Sequence, residues 1–362
     1  MPGISPKRQL VWPPMASNNV SVASSLTNSS YCPDGIFWDW LYAFLPIYIM
    51  VVCVIGLVGN TFVLLVLCLH RSRRTVPDIY LGNLAGADLL LLACLPFWAA
   101  NIAERFAWPF GQFLCRFVNL TIYMNLWSSI YLLVMVSIDR YLALVRVLNP
   151  GRIRTVFCAK INCSLIWAFS LLMSSPAFLF RRVIFQPDLN MSACLLQYPQ
   201  PDWELKFDIV FIVGVFFIPG AVLSFCTAKI LSVLRNDRLR HFKLVRKESK
   251  AAGLILIVLL AFLICWVPFQ IFRVLKFFQI AGLLTGCTWK EALSNGNQIV
   301  TFFGCTNSCI NPVLYVMVGK QFRSKAKELY SQSVGRRKSL LTFRESTVTH
   351  NTSISTLERL GC

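Results

Sequence analysis

Several polar side chains stand inside long apolar stretches of the sequence. They are Asn60, Asp88, Asn125, Ser129, Asn307, Ser308 and Asn311. Polar groups in such surroundings are costly and either bind something or join helices through hydrogen bonds. A carboxylate among amide and hydroxyl oxygens suits a small hard cation, sodium by availability, or a shared proton, and oxygen-only ligands argue against a transition metal. We therefore predict a candidate sodium site at Asp88, Asn125, Ser129, Asn307 and Asn311, with interhelical hydrogen bonding as the alternative.

Two further groups can change state. The third apolar stretch ends in Ser137-Ile138-Asp139-Arg140-Tyr141, which places a cation beside an acid at the edge of the membrane. In Cys265-Trp266-Val267-Pro268, a large indole stands beside a proline, which frees a backbone carbonyl and permits a kink. We predict a separable pair at Asp139 and Arg140. Trp266 is either a core side chain or a lever beside a hinge at Pro268.

Seven apolar stretches must position these residues. They run from about 42–69, 79–103, 114–136, 157–180, 208–234, 251–278 and 296–318. Each reaches the ~20 residues with which a helix crosses hydrocarbon, and a backbone in lipid must satisfy its own hydrogen bonds. The sequence predicts an all-α membrane protein, a seven-transmembrane helix bundle over 42–318. A short amphipathic eighth helix over 319–330 is predicted to lie on the membrane surface.

The charge of the chain is unevenly distributed. The net charge is +19, yet with the amino terminus outside, 25 of the 35 Lys and Arg residues fall on inner loops and the tail. This bias predicts orientation and attraction to an anionic bilayer surface rather than binding of nucleic acid. Only 14% of residues are charged and 56% are hydrophobic, as in a multi-pass plasma-membrane protein.

The two terminal segments are polar. Residues 1–41 are predicted to be an extracellular glycosylated segment, and the acceptor motifs at Asn19, Asn28 and Asn190 all fall on the predicted outer side. Residues 331–362 are rich in Ser and Thr, which predicts a disordered, phosphorylatable cytoplasmic tail.

Four of the 14 cysteines lie on the predicted outer side, in an oxidising compartment. Cys115 opens the third span, and Cys194 lies in the longest outer loop. Cys32 and Cys287 precede the first and seventh spans, which are neighbours in a closed bundle. Three pairings are possible, and we predict Cys115 with Cys194 and Cys32 with Cys287.

The motifs together resemble rhodopsin-like G-protein-coupled receptors, with one landmark in each of seven helices in order. The landmarks are Gly56-x-x-Gly59-Asn60, Leu84-Ala85-x-x-Asp88, Asp139-Arg140-Tyr141, Trp167, Pro219, Cys265-Trp266-x-Pro268 and Asn311-Pro312-x-x-Tyr315. The resemblance covers about residues 42–330 and implies a receptor, not an enzyme. Cys305 stands where opsins carry a Schiff-base lysine, and Ile122 stands where amine receptors carry an aspartate, which argues against both subclasses.

Longer strings resemble kinin (bradykinin-type) receptors, and among these the type for intact kinins. Examples are Ile79-Tyr80-Leu81-Gly82-Asn83-Leu84-Ala85, Leu95-Pro96-Phe97-Trp98-Ala99 and Thr306-Asn307-Ser308-Cys309-Ile310-Asn311-Pro312. The resemblance implies an extracellular peptide ligand and a heterotrimeric G protein of the Gq type, with calcium signalling through phospholipase C. It also implies receptor kinases and arrestin as partners. Ligand binding is expected at Trp98, Ile122, Tyr123, Glu204, Asp208, Phe269, Phe272 and Gln298. The activation switch is expected at Asp139, Arg140, Trp266, Pro268, Asn311 and Tyr315.

One departure concerns the acids that receive a kinin's basic end in the family. The matching positions here are Lys276 and Ser294. A cation in place of an acid repels an arginine, so the family's binding mode does not transfer directly. Glu204, Asp208 and Glu291 offer other negative charge nearby.

Other classes fit less well. A transporter or proton pump can use seven helices and a buried acid, but transporters show internal repeats and paired broken helices, and neither is found. An enzyme is disfavoured because the chain has three His and no phosphate loop. A receptor for a chemokine-like or angiotensin-like peptide remains an alternative. Apart from the candidate sodium ion, no cofactor is predicted.

Overall fold

The computed structural model describes residues 37–70, 74–145, 155–187, 190–235, 243–280, 282–318 and 322–332. Within them the chain forms a bundle of long helices with one β-hairpin. The helices are α1 (Phe37–Leu69), α2 (Val76–Ala103), α3 (Gly111–Val145), α4 (Val156–Leu179), α5 (Pro201–Ile212, Val213–Phe217 and Ile218–Arg235), α6 (Lys243–Ile280), α7 (Cys287–Cys305 and Asn307–Val318) and α8 (322–332).

Six of the described helices are long and apolar enough to cross a membrane. The seventh, α7, has a shorter apolar stretch, Ile299–Leu314, because its first turns are polar. The predicted seven-helix membrane bundle is confirmed, and the observed helices extend beyond the apolar stretches. In α3, for example, the helix continues to Val145, nine residues past the predicted end at 136.

Local sequence explains several helix ends and irregularities. At the start of α2, the Thr75 and Asp78 side chains form a capping box that satisfies free backbone N–H groups. In α5, Val213–Phe217 forms a π-helical turn, and the freed Gly214 carbonyl accepts a hydrogen bond from Tyr131 Oη at 3.0 Å. α7 is interrupted at Thr306.

The β-hairpin covers one end of the bundle. Strands β1 (Arg181–Gln186) and β2 (Met191–Leu196) pair antiparallel, and Cys194 of β2 forms a disulfide with Cys115 of α3. That predicted pairing is confirmed, and we call this end of the bundle the disulfide end. Cys32 lies outside the described residues, so its pairing with Cys287 stays a prediction.

Of the three predicted glycosylation sites, one lies among the described residues. Asn190 is an exposed residue in the hairpin turn with a φ of 49°, a conformation that asparagine tolerates better than most residues. Asn19 and Asn28 lie outside the described residues. Glycosylation at all three stays a prediction.

The opposite end carries α8, which packs on the bundle. The Phe322 ring contacts Phe62 of α1, with centroids 6.0 Å apart. Lys325 Nζ pairs with Asp78 Oδ2 of α2 at 2.6 Å. Because Asp78 also caps α2, the same carboxylate joins the two helices. Arg140 lies at this end, which we call the Arg140 end.

Candidate ligand cavity and activation core

A cavity opens between the helices at the disulfide end, and with its open mouth it takes in about 1440 Å³ of space. α2 contributes Trp98, and α3 contributes Ile122 and Tyr123; Phe269 comes from α6 and Phe302 from α7. Its roof is the hairpin, which the Cys115–Cys194 disulfide ties to the start of α3. The apolar floor with a few converging polar groups has the character of a small-molecule or peptide site.

Most of the predicted ligand residues meet in this cavity. Trp98, Ile122, Tyr123, Glu204, Asp208 and Phe269 all line it. Phe272 is not among the lining residues and packs against Gly296 of α7. Gln298 lies in α7, but its side chain is outside the described residues, as are those of Glu291 and Ser294.

Two ion pairs join α5 to α6 along the cavity wall. Asp208 Oδ1 accepts a hydrogen bond from Arg273 Nη2 at 2.7 Å, and Glu204 Oε1 lies 3.4 Å from Lys276 Nζ. The acids are four residues apart on α5 and the bases three apart on α6, so each pair of side chains shares a helix face. We call this arrangement the ion-pair ladder. The two acids predicted to attract a basic ligand already have basic partners.

Arg273 is held by aromatic rings as well as by Asp208. Its guanidinium carbon lies 4.3 Å from the centroid of the Phe211 ring and 5.8 Å from that of Phe269. A guanidinium at this distance from aromatic faces gains a cation–π attraction. Arg273 therefore combines a charge pair with an aromatic cage.

Arg181 brings a third basic group to the cavity. It is buried at the start of β1, lines the cavity and donates from Nη1 to the Cys194 carbonyl at 3.1 Å. Burial lowers the pKa of its guanidinium, because desolvation disfavours the charged form. Burial likewise raises the pKa of the nearby Tyr198 hydroxyl.

Arg181, Arg273 and Tyr198 were not among the predicted ligand residues. The helical spacing of Glu204 with Asp208, and of Arg273 with Lys276, was a signal for the ladder in the sequence. It shows that each set shares a face, but it does not show that the two faces meet. That depends on the rotation of α5 and α6, which the packing sets.

Trp266 forms the link between the cavity and the bundle core. It lines the cavity, and its ring lies 5.8 Å from Phe269 and 6.2 Å from Phe262 between centroids. On its other side is Gly304, where an added Cβ would lie 2.9 Å from Trp266 Cζ3. The indole therefore fills a space that only a glycine in α7 leaves open. Pro268 lies two residues further on, within the same helix.

Deeper in the bundle, Asp88 accepts three hydrogen bonds from other helices. They come from Asn125 Nδ2 at 3.0 Å, Ser308 Oγ at 2.8 Å and Asn311 Nδ2 at 3.2 Å. Asp88 is fully buried. The predicted polar cluster thus assembles from α2, α3 and α7.

The same cluster contains buried oxygens with no hydrogen-bond partner among the described residues. They are Ser129 Oγ, Asn307 Oδ1 and Asn311 Oδ1, with Asn60 Oδ1 of α1 as a fourth. Asn60 Nδ2 donates to the Ser308 carbonyl of α7 at 2.8 Å, which is the interhelical hydrogen bonding given as the alternative for these polar residues. A carboxylate with several unsatisfied oxygens is a donor set that fits a hard cation.

At the Arg140 end, the predicted charge pair is formed. Arg140 Nε donates to Asp139 Oδ2 at 3.0 Å, and both residues are 4% exposed. An ion pair withdrawn from water in this way is costly to break unless another partner replaces it. The Tyr315 side chain lies outside the described residues.

Comparison with known proteins agrees with this geometry. Residues 59–315 match the family "7 transmembrane receptor (rhodopsin family)". The B2 bradykinin receptor of Homo sapiens is 43% identical over 346 residues, covering 93% of this chain and 88% of that protein. The B2 bradykinin receptor of Oryctolagus cuniculus is 44% identical over 308 residues, or 84% of each chain. The B1 bradykinin receptor of Tupaia minor is 42% identical over 322 residues, covering 88% of this chain and 92% of that protein.

These matches confirm the predicted receptor family and exclude the enzyme alternative, because receptors of this family are not enzymes. They also agree with a multi-pass membrane protein. The family match and the relatives each extend over most of the chain. The chain belongs to the rhodopsin family of seven transmembrane receptors, as a homologue of the bradykinin receptors.

Proposed function

We propose that this chain is a cell-surface receptor that binds a kinin-like peptide in the cavity at the disulfide end. Binding favours an open state that engages a heterotrimeric G protein, of the Gq type, and releases calcium through phospholipase C. The observation that carries the proposal is the cavity itself, in a chain 43% identical to the human B2 bradykinin receptor.

The ion-pair ladder defines how a basic peptide must bind. Its acids, Glu204 and Asp208, are paired with Lys276 and Arg273, and Arg181 adds a further positive charge. A ligand arginine can gain an acid only by exchanging with a receptor base. Glu204 is the easier partner to exchange, because its 3.4 Å pair with the 42% exposed Lys276 side chain is looser than the Asp208–Arg273 pair.

The rest of a peptide has an apolar surface to pack on. Trp98, Ile122, Tyr123 and Phe269 line the cavity and supply the aromatic and aliphatic anchors that dominate binding energy at such sites. The ladder then sets the register of the ligand more than its affinity.

Activation follows from contact with Trp266. A ligand can shift the receptor only by binding the open state more tightly than the closed one. Since Trp266 lines the cavity and packs against Gly304, a peptide that moves the indole must change the α6–α7 contact. We propose that α6 then swings about Pro268 and that Arg140 leaves Asp139. The opened end receives a G-protein helix against Arg140, Thr227 and Tyr315.

A sodium ion in the polar cluster would stabilise one of the two states. Asp88 would hold it together with the unsatisfied oxygens of Ser129, Asn307 and Asn311, with Asn125 as a further polar neighbour. When bound, the ion would supply positive charge that offsets the buried carboxylate. Asn125, Ser308 and Asn311 orient the two oxygens of Asp88 through three hydrogen bonds.

The remaining parts of the proposal concern the surroundings of the bundle. The amino terminus lies outside, glycosylated at Asn19, Asn28 and Asn190, and α8 lies on the inner surface of the bilayer. Receptor kinases and arrestin act on the tail over 331–362. The anchoring of Lys325 to Asp78 supports a fixed position for α8 on the bundle.

Calcium release in transfected cells tests this function. Wild-type receptor is titrated with bradykinin and with its version lacking the carboxyl-terminal arginine, with and without a Gq inhibitor. We expect the intact peptide to be at least tenfold more potent and the inhibitor to abolish its response. The matched control is Arg140→Ala, which should keep peptide binding and lose calcium release. A surface-expressed receptor that binds neither kinin but answers an angiotensin-like or chemokine-like peptide would refute the kinin assignment.

Glu204→Gln tests the proposed exchange within the ladder. The variant removes the acid that a ligand arginine is expected to take from Lys276. We expect at least a tenfold loss of potency for the intact peptide, equivalent to ~1.4 kcal/mol. An unchanged dose response would remove Glu204 from the binding site.

A further inference from the structure

A second, smaller cavity lies beside the ligand cavity, between α3, α4 and α5. It takes in about 420 Å³ of space, part of which is open to the surroundings, and we call it the side cavity. Trp127 of α3, Met173 of α4, and Val210 and Phe211 of α5 are among the residues that line it. The residues that line both cavities, and so separate them, are Tyr123, Leu196, Tyr198 and Arg273.

The side cavity borders the outer surface of the membrane-spanning helices. Val210 lines it and is 46% exposed, and it lies within the membrane-spanning stretch Trp203–Val233. Met173 and Pro176, also lining residues, are partly exposed within α4, another spanning helix. At this depth an exposed apolar side chain faces hydrocarbon, not water. A molecule that enters from this surface must therefore dissolve in the membrane.

The lining contains hydrogen-bond donors with no acceptor. Trp127 is 1% exposed, and its Nε1 has no hydrogen-bond partner in the part of the chain that the structure describes. The same holds for Arg273 Nε. Leaving a buried donor unsatisfied is unfavourable. A ligand that brings an acceptor oxygen within reach of either donor would remove that cost, whereas a purely apolar ligand would not.

Trp127 is held in place from the other side. A Cβ added at Gly214 would lie 2.6 Å from Trp127 Cη2, so the indole lies against the backbone of the π-helical turn in α5. It cannot simply move away from an occupant. A molecule in the side cavity must fit against a fixed indole.

Aromatic contacts connect the Trp127 indole to Trp266. Ring centroids lie 5.7 Å apart for Trp127 and Phe211, 6.2 Å for Phe211 and Phe269, and 5.8 Å for Phe269 and Trp266. Arg273 also packs over Phe211. An occupant that shifts Phe211 therefore acts on the ligand-cavity wall and on Trp266 at the same time.

We propose that the side cavity is an allosteric site for a membrane-soluble apolar molecule that carries a single hydrogen-bond acceptor, such as a carbonyl. Its occupation changes the affinity of the peptide in the neighbouring cavity. By linkage, bound peptide changes the affinity of the side-cavity ligand by the same factor.

Benzophenone is a suitable probe, because it is apolar, carries one carbonyl and labels nearby C–H groups on irradiation. Purified receptor in lipid nanodiscs is irradiated with benzophenone, and the labelled peptides are mapped by mass spectrometry. We expect labelling to concentrate at Met173 and Val210. Diphenylmethane, which lacks the carbonyl, should compete with labelled benzophenone at least threefold less well than unlabelled benzophenone does. Labelling spread evenly over exposed residues of all spanning helices, or equal competition by diphenylmethane, would overturn the proposal.

Two variants separate the effect of the Trp127 N–H donor from the effect of the space in the side cavity. Trp127→Phe keeps an aromatic ring and removes the N–H, so benzophenone should bind at least threefold more weakly while competition by diphenylmethane is unchanged. Ala177→Phe, at a buried lining position, should fill the side cavity and abolish the concentrated labelling. Leu172→Ala, at a 68% exposed position of α4, is the control and should label like wild type. Unchanged labelling in Ala177→Phe would contradict binding in the side cavity. The size-exclusion profile and the surface expression of each variant detect a folding defect.

The allosteric part is tested in the same nanodiscs. This part rests on the proposed function, so the probe is labelled bradykinin. Saturating benzophenone should shift its affinity at least threefold in wild type and not in Ala177→Phe. Labelling without any shift would refute the allosteric role. Because photolabelling needs no peptide, its outcome does not depend on the kinin assignment.

Discussion

The Arg273–Asp208 pair gives the sharpest energetic prediction for the ligand cavity. Asp208 is 7% exposed and Arg273 19% exposed at the side-chain level, with 2.7 Å between their charged atoms. Arg273→Gln removes the cation and leaves the buried carboxylate of Asp208 without its charged partner. Breaking a buried pair from one side costs about 3–5 kcal/mol, so this variant should unfold at a clearly lower temperature.

A double-mutant cycle isolates the pair from the aromatic cage. Arg273→Gln combined with Asp208→Asn removes both charges, so the double variant should regain much of the lost stability. We expect a coupling energy above about 1 kcal/mol, as for residues in direct contact. The Glu204–Lys276 pair is the matched control in the same ladder. Its lysine side chain is 42% exposed, and its coupling should lie between about 0 and 1 kcal/mol.

The assay is thermal unfolding of purified receptor in nanodiscs without peptide, with the four proteins of each cycle compared at one ionic strength. Added salt should reduce the coupling of the outer pair more than that of the inner pair, since exposed charges are screened more strongly. Equal coupling for the two pairs, or an Arg273→Gln variant as stable as wild type, would refute the reasoning.

Three further substitutions test the path from the cavity to the Arg140 end. Asp139→Asn weakens the pair with Arg140 and should raise basal signalling in cells without peptide; basal signalling equal to wild type at matched surface expression would contradict the latch. Gly304→Ala places a methyl group 2.9 Å from Trp266 Cζ3. It should therefore lower the free energy of unfolding by about 1–3 kcal/mol and alter basal signalling. A variant identical to wild type in both measurements would show that the indole can accommodate the methyl group. Asp88→Asn removes the only charge of the polar cluster, so peptide affinity should lose its dependence on sodium concentration, measured against choline as the control cation. A sodium effect that persists in this variant would place the ion elsewhere.

Much of the fold could be predicted from the sequence because a membrane imposes strong constraints. Spans follow from hydropathy, and a disulfide between Cys115 and Cys194 follows from where each falls along the chain. Asp88 stood out because a carboxylate in an apolar stretch must find partners, and the structure supplies three of them.

The charge arrangement of the ligand cavity could not be predicted in the same way. Glu204 and Asp208 were expected to be open to a ligand, and the structure pairs both with α6. Whether two helices present facing charges depends on their rotation about their own axes. In α5 the π-helical turn at Val213–Phe217 resets that rotation, and single-sequence periodicity does not reveal such a turn. Phe272 packs against Gly296 and is not among the residues that line the cavity, for the same kind of reason.

Equilibrium binding of labelled bradykinin to membranes that contain this chain tests the central claim most directly, because it does not depend on which G protein couples. We expect saturable binding with nanomolar affinity (~−12 kcal/mol) that intact kinins displace at least tenfold better than versions lacking the carboxyl-terminal arginine. We also expect Glu204→Gln to weaken it, with Leu172→Ala unchanged. Absence of saturable binding, with the protein shown at the cell surface, would contradict the assignment of a kinin-like ligand.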